Sequence, residues 1–272
     1  MQKSVIHRTA VVAEGASIAD DAEIGPYAVI GENVTIGNRT KVGAHAIIDG
    51  ITTIGSDCRI FPGASIGLAP QSISYKDEPT GVVIGDRVTI REYATIHRAT
   101  EAGKFTLIGD DCFLMNYSHV AHDCELGKGV VMANGSTLAG HVVVGDQTVT
   151  AGMCVFHQHV RIGRLCMISG FSGSRMDVPP FVMIAENPPA IKGLNAVGMK
   201  RAKLLPERRA AIKNAYRKLY RSGLNFGQAL EQIEADPEKC PEVEEIIEFY
   251  RASKRGVLGL YAEGELPDST DA

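Results

Sequence analysis

Ile24-Gly-Pro-Tyr-Ala-Val-Ile30-Gly-Glu-Asn-Val-Thr-Ile36-Gly-Asn-Arg-Thr-Lys-Val42-Gly sets a large aliphatic residue at every sixth position and a glycine directly after it. A smaller residue (Ala28, Val34, Thr40) comes two before each. Worked outward, the aliphatic column runs back through Ile18 and Val12 to Ile6 and forward to Ile66, then resumes from Ile84 to Ile168. Of the 28 multiples of six between 6 and 168, 24 are Ile, Val, Leu, Met or Phe; the exceptions are Ser72, Glu78, Ala102 and Thr150. A fixed period this short marks a solenoid, whose units must stack to bury a continuous core. One hexad fits a short strand plus a corner, and three make a triangular coil. The expectation is a mainly β chain, a parallel β-helix of about ten coils, ~4.8 Å apart, forming a prism on the order of 45 Å long. Glycine after the aliphatic residue is read as the one that tolerates the corner's backbone angles.

Two stretches break the period, residues 69–83 and 99–106, and insertions in a solenoid become loops on its side. The period ends near Pro179-Pro180, and from about residue 196 the pattern turns helical. One helix begins at Pro206 and stops near Gly223, a second covers Phe226 to Ala235, and a third follows Pro241. The expected division is a β-helix domain over 1–190, a helical domain over 191–256 and a flexible acidic tail over 257–272.

Composition narrows the class. The 272 residues are 44% apolar and 22% charged with a net charge of −4, which excludes a disordered chain. The stretch from Met1 to Arg8 lacks the apolar run of a signal peptide, and no segment reaches the roughly 20 apolar residues of a membrane span. A cytoplasmic protein without membrane insertion is expected. Cys58, Cys112, Cys124, Cys154 and Cys166 all fall in the small inward column and are expected to be buried thiols, not disulfides or a metal cluster. Residues 192–221 hold ten Lys or Arg against Glu207 alone. Such a run is either a solvated helix face or a dock for an acidic partner; with few stacking aromatics it is not a nucleic-acid surface.

Six of the eight histidines lie between 97 and 159, and none occupies an inward column. In the uninterrupted repeat a step of 18 moves one coil along at the same place on the triangle. His122, Gly140 and Gln158 therefore form one axial column, with His141 and His159 in the next. A base then sits about one strand spacing, ~4.8 Å, from a glycine amide, the pairing that acyl transfer needs for its proton and its oxyanion. Asp123 can orient His122 only if the two lie at a corner, since neighbours on a strand diverge. A zinc site is the rival reading of the same imidazoles.

The strings Ala94-Thr-Ile-His-Arg98, His119-Val-Ala-His-Asp-Cys124, Leu138-Ala-Gly-His141, His157-Gln158, Asp177-Val-Pro-Pro180, Asn214-Ala-Tyr216 and Tyr220-Arg-Ser-Gly223 resemble the UDP-N-acetylglucosamine O-acyltransferases that start lipid A synthesis in Gram-negative bacteria. The resemblance reaches to about residue 256. It implies a left-handed β-helix, a homotrimer with active sites between subunits, and a 3-hydroxyacyl donor on acyl carrier protein, with no resident metal or cofactor. By that pattern His122 is the general base, Asp123 orients it and the Gly140 amide holds the oxyanion. Gln71, Ser72, Ser74, His119, His141, Gln158, Asn195 and Arg201 match positions at the nucleotide sugar. Val149, Gly152, Met167 and Gly170 match positions along the acyl chain, and a glycine at 170 leaves room for a longer one.

The chain departs from the family pattern in the loop Gln71-Ser-Ile-Ser-Tyr75, where the family commonly has an acid and a lysine in place of Ser72 and Ser74. Val197 and Ala202 stand where polar or basic residues are frequent, and Glu186 where glycine is usual. A modified acceptor, such as a 3-amino UDP-sugar giving an amide, is the alternative these positions raise. A zinc enzyme and a non-catalytic solenoid are the alternatives from other classes.

Overall fold

The computed structural model describes residues 5–237 and 239–260. Most strands are two residues long, as in Val143–Val144 and Arg161–Ile162. They form three sheets of eleven, nine and eight strands, here the first, second and third sheets. The chain visits these in turn, and each strand pairs in parallel with the one a coil away, as Val143 does with Arg161, 18 residues on. The architecture is a left-handed parallel β-helix. It closes where Ala190–Leu194 pairs antiparallel with Val182–Ala185.

The aliphatic column and the small column fill the prism; Ile36, Ile66, Ile96 and Leu138 are at most 1% exposed. Thr150, an exception to the aliphatic column, is equally buried, and its hydroxyl lies 2.8 Å from that of Ser136, so the polar pair satisfies itself. The five inward cysteines are buried and free. Burial pushes the Cys124 thiol up to about 12, and Cys124 Sγ donates to the Ala139 carbonyl at 3.1 Å.

Both interruptions are loops that step the register. The pair Arg59↔Thr89 spans 30 residues and Thr89↔Phe113 spans 24, instead of 18. Each loop is shorter than the sequence pattern indicates, because strands Gly81–Ile84 and Phe105–Ile108 begin early.

The role expected for the corner glycines is corrected. Gly37, Gly55, Gly109 and Gly127 stack at one corner with ordinary φ; the left-handed residue lies two positions later, as at Arg39 (φ 56°) and Asp57 (φ 59°). The glycines are required by proximity. A Cβ at Gly37 would sit 2.7 Å from the Gly55 carbonyl oxygen, and one at Gly109 equally close to that of Gly127. What the stack excludes is a side chain between coils.

Beyond the prism come α1 (Ala196–Arg201), α2 (Pro206–Arg221), α3 (Phe226–Glu234) and α4 (Pro241–Arg251). Pro206 and Pro241 open their helices, where a missing N–H costs nothing. The Tyr216 hydroxyl of α2 donates to the Pro180 carbonyl at 2.6 Å, and Arg164 of the prism pairs with Glu245 of α4 at 2.6 Å. Opposite charges on the helices are partly spent on each other, as in Arg208–Glu242 at 3.2 Å. Residues 257–260 of the expected tail pack against the fold. Val257 bridges to Asp177, Leu258 is buried, and its carbonyl accepts from the Tyr220 hydroxyl. The rest of that segment, 261–272, lies outside the described residues.

Candidate active site

His122 and Asp123 lie at the corner between the second and third sheets, after strand His119–Val120 and before Glu125–Leu126. Asp123 has φ 59°, and this left-handed turn swings its carboxylate back beside the preceding imidazole. His122 Nδ1 lies 2.8 Å from Asp123 Oδ2. The condition for the pairing, a corner, is met.

Asp123 is held in turn by the second loop. The Thr100 hydroxyl donates to Oδ2 at 2.7 Å, the Thr100 amide reaches both oxygens at 3.2–3.3 Å, and Asp123 N donates to Thr106 Oγ1. Burial alone would raise the Asp123 pKa, but the bonds from Thr100 and His122 outweigh it and hold the carboxyl below its ordinary value. An ionised carboxylate only accepts, so His122 carries its proton on Nδ1. Nε2 is left with a free lone pair and has no partner among the described residues.

One coil on, Gly140 is pressed against that ring. A Cβ there would overlap His122 Cε1 and lie 2.7 Å from Nε2. Its amide donates to no group among the described residues. A base with an open Nε2 and an unpaired N–H thus share one place. His141 and His159 continue the column of Asp123, with φ 61° and 64°. The His141 ring meets His122 edge-on at 5.2 Å and stacks on His159 at 4.5 Å. Gln158 is exposed beside them.

His122, Asp123 and His141 have ligand atoms within 4.8 Å of one another, close enough to suggest a metal. The donor set fits one poorly. Two ligands each about 2.0–2.1 Å from a tetrahedral zinc stand ~3.3 Å apart, whereas His122 Nδ1 and Asp123 Oδ2 are 2.8 Å apart in a hydrogen bond.

His119 points along the outer face of the second sheet, its Nδ1 2.7 Å from the Thr95 hydroxyl, and burial and then the His122 charge lower its pKa. His97, though outside the inward columns, is buried and meets His119 edge-on at 5.1 Å. Its Nδ1 is buried without a partner, and burial, then His119 and His122, lower its pKa to about 4. His97 and Thr100 are the residues that the sequence reading left without a role. The pairing of Thr95 with His119 could have flagged His97, two positions on, whereas nothing in the period marks a loop threonine. In the first loop, Ser72 and Ser74 bond each other at 3.0 Å, Gln71 is exposed, and Tyr75 packs on Arg98, which is adjacent to His97.

Other candidates sit elsewhere on the triangle. Asn195 is buried near the corner between the third and first sheets, donating to the Leu165 carbonyl at 2.8 Å and accepting from Gly198 N as the cap of α1. Arg201 is exposed at the end of that helix. Val149 and Met167 are paired on the first sheet, and Gly152 and Gly170 lie at its corner with the second. Neither glycine is demanded by packing. The nearest atom to a Cβ at 170 is Gly152 O at 3.4 Å, and at 152 it is Asn134 O at 3.4 Å. One chain therefore gathers the base, its orienting acid, the amide, His141 and Gln158 at one corner, with His119 and the first loop beside them, and carries Asn195, Arg201 and the four acyl-chain candidates elsewhere on the triangle.

Comparison with known proteins follows the same lines. Residues 177–258 match the family described as UDP-N-acetylglucosamine O-acyltransferase, domain 2, and residues 15–50 and 105–140 match the bacterial transferase hexapeptide repeat. The chain is 47% identical over 253 residues to the acyl-[acyl-carrier-protein]–UDP-N-acetylglucosamine O-acyltransferase of Thermodesulfovibrio yellowstonii, covering 93% of this chain and 98% of that one. It is 47% identical over 260 residues to that of Verminephrobacter eiseniae, covering 94% and 99%. The solved UDP-N-acetylglucosamine acyltransferase of Francisella novicida superposes with a TM-score of 0.91 at 39% identity, covering 94% of each chain.

Proposed function

The chain belongs to the UDP-N-acetylglucosamine O-acyltransferase family, and on that premise we propose that it moves a 3-hydroxyacyl chain from acyl carrier protein to the 3-hydroxyl of UDP-N-acetylglucosamine, in lipid A biosynthesis. The observation that carries the site assignment is the open Nε2 of His122, its Nδ1 tied to Asp123, against the unpaired Gly140 amide. His122 takes the proton of the sugar hydroxyl as its oxygen attacks the thioester carbonyl. The carbonyl oxygen, now negative, accepts from Gly140 N–H. When the carbon–sulfur bond breaks, the imidazolium returns the proton to the carrier's thiolate. Asp123 stabilises the transient imidazolium and fixes its orientation. His119, His141 and Gln158 line the approach for the nucleotide sugar, with Gln71, Ser72 and Ser74 on the loop above. No metal or resident cofactor enters this scheme; the acyl-loaded carrier is a co-substrate.

The protein acts as a homotrimer in this reading. Support comes from the dispersal of candidates over three corners, since Asn195 and Arg201, or the groove at Gly152 and Gly170, can meet His122 only across a subunit boundary. A second support is an exposed aromatic edge, taken up below. The bare corner at Gly170 suits a longer acyl chain. The basic face of α2 suits an acidic carrier protein. No helix among the described residues is long and apolar enough to cross a membrane, and the free cysteines accord with a reducing compartment, the cytoplasm.

His122→Ala, assayed by mass spectrometry of the product from UDP-N-acetylglucosamine and mixed 3-hydroxyacyl carriers, should lose about 10²–10⁴-fold in kcat. Unchanged turnover would remove His122 from the chemistry.

A further inference from the structure

The helical domain carries a row of cations that no acid among the described residues answers. Arg209, Lys213, Arg217 and Arg221 follow at steps of four along α2 and line one groove of about 800 Å³. Residues four apart share a helix face, and like charges there repel. The cations elsewhere on the helix have acids to answer them, Arg208 at Glu242 and Lys218 at Asp236. These four have no ion-pair partner among the described residues, and Arg209 Nε is buried with no hydrogen-bond partner. The floor of the groove is apolar, formed by Ile191, Leu194 and Met199.

The last described residue, Leu260, is itself part of the groove wall. The next twelve, Tyr261-Ala-Glu-Gly-Glu-Leu-Pro-Asp-Ser-Thr-Asp-Ala272, contain four acids and no Lys or Arg, with Tyr261 and Leu266 as apolar members. Twelve extended residues reach ~40 Å, and the stripe from Arg209 to Arg221 is ~18 Å long. The match to the family ends at residue 258, so this segment lies beyond it. We propose that the acidic segment 261–272 of this chain docks along the basic face of α2 and, resting on the reading that an acidic carrier protein uses that face, competes with the acyl donor for it. The segment's four carboxylates match in number the four cations that lack a partner among the described residues, and donor affinity then depends on ionic strength through two opposed terms.

Zero-length cross-linking tests the docking without reference to activity. The full chain is treated with a water-soluble carbodiimide, which joins an amine to a carboxylate, then digested and examined by mass spectrometry. The expected product joins Lys213 to Glu263, Glu265, Asp268 or Asp271 at low salt, and is lost near 1 M salt, where screening acts over ~3 Å. In a mixture of ¹⁵N-labelled and unlabelled chains the linked peptides stay within one isotope. Hydrogen exchange over 206–221 should quicken when the four acids are neutralised together (E263Q, E265Q, D268N, D271N). Absence of the Lys213 link with unchanged exchange overturns the docking; so does a link joining two isotopes, which would make a second copy the occupant. With acyl-loaded carrier protein as the probe, the neutralised tail should lower KM about 3- to 10-fold at low salt with kcat unchanged. An unchanged KM beside a clear Lys213 link overturns the competition. Inactivity of both forms would instead indict the acyltransferase reading, leaving the cross-link to decide the docking alone.

Discussion

Two edges of the prism are built from the same backbone position and could hardly differ more. At the corner between the third and first sheets, the left-handed residues of four successive coils are Arg39, Asp57, Arg87 and Asp111. They pair along the axis, with Arg39 to Asp57 at 2.6 Å and Arg87 to Asp111 at 2.7 Å. At the corner between the first and second sheets, the same position holds Tyr27, His45, Gly63, Tyr93, Tyr117, Gly135, Met153 and Phe171, so the two glycines leave room for the large side chains of the next coil. Tyr27 stacks on His45 at 5.0 Å and Tyr93 on Tyr117 at 5.5 Å, yet Tyr117 is 65% and Phe171 76% exposed. A solenoid presents each corner position again at every coil, so a choice made once per turn becomes a stripe. The charged stripe suits water. The apolar one is of the length and character that marks a contact surface, and it adjoins the bare groove at Gly152 and Gly170. The third corner is the catalytic one, where the position reads Asp123, His141, His159.

The comparison breaks most sharply at the catalytic corner. Gly140→Ala keeps every coil but inserts a methyl against His122 Cε1 and Nε2. Displacing the base by about 1 Å should cost ~10²-fold or more in kcat; Gly152→Ala, which meets only ordinary contacts, should leave kcat within a fewfold. Equal effects of the two would mean that the imidazole and the amide do not work as a pair.

His97 sharpens it next. Burial holds its folded-state pKa at about 4, below an unfolded value of about 6.5. As pH falls through that interval the unfolded chain takes up a proton that the folded chain refuses. The stability present above pH ~6.5 is thus lost progressively down to ~4, by about 3 kcal/mol. Denaturant titrations of His97→Asn across this window should show a correspondingly flatter pH dependence; a parallel slope would mean that His97 is not the group being titrated.

The aromatic edge is then tested by charge. Tyr93→Asp with Tyr117→Asp should weaken self-association by roughly 30-fold or more per aromatic removed, seen by sedimentation, while far-ultraviolet circular dichroism keeps its β signal. A trimer that persists at nanomolar concentration would place the subunit contact elsewhere.

What the sequence disclosed follows from this geometry. A period of six repeated over 28 positions is an unusually strong signal, and it carried the coil, the inward columns and the axial alignment of His122 with Gly140. Corner geometry was less legible. The glycine after Ile36 and Ile108 is easily taken for a conformational requirement, when the constraint comes from Gly55 and Gly127, 18 residues away in sequence. Loops escaped further. Thr100 sits outside the period, so its grip on Asp123 has no pattern to announce it. Nor does any pattern announce that the Asn195 amide closes α1 onto the Leu165 carbonyl.

The smallest effect should come from the charged edge, and its smallness is the point. Arg39 is bracketed by Asp21 and Asp57, and the hydrogen bond from its guanidinium holds the Asp57 carboxyl below its ordinary value. Both partners stand in solvent, where ordering two long side chains offsets most of the Coulomb attraction. Arg39→Ala should therefore lower Tm by less than about 3 °C at low salt. Because the Asp57 pKa is depressed, the pair's contribution is complete above pH ~4 and is lost as pH falls below it, so variant and parent should converge in acid and again near 1 M salt. A Tm drop as large as that from a core substitution such as Ile66→Ala would show that the stripe holds coils together rather than merely keeping one edge of the prism in water.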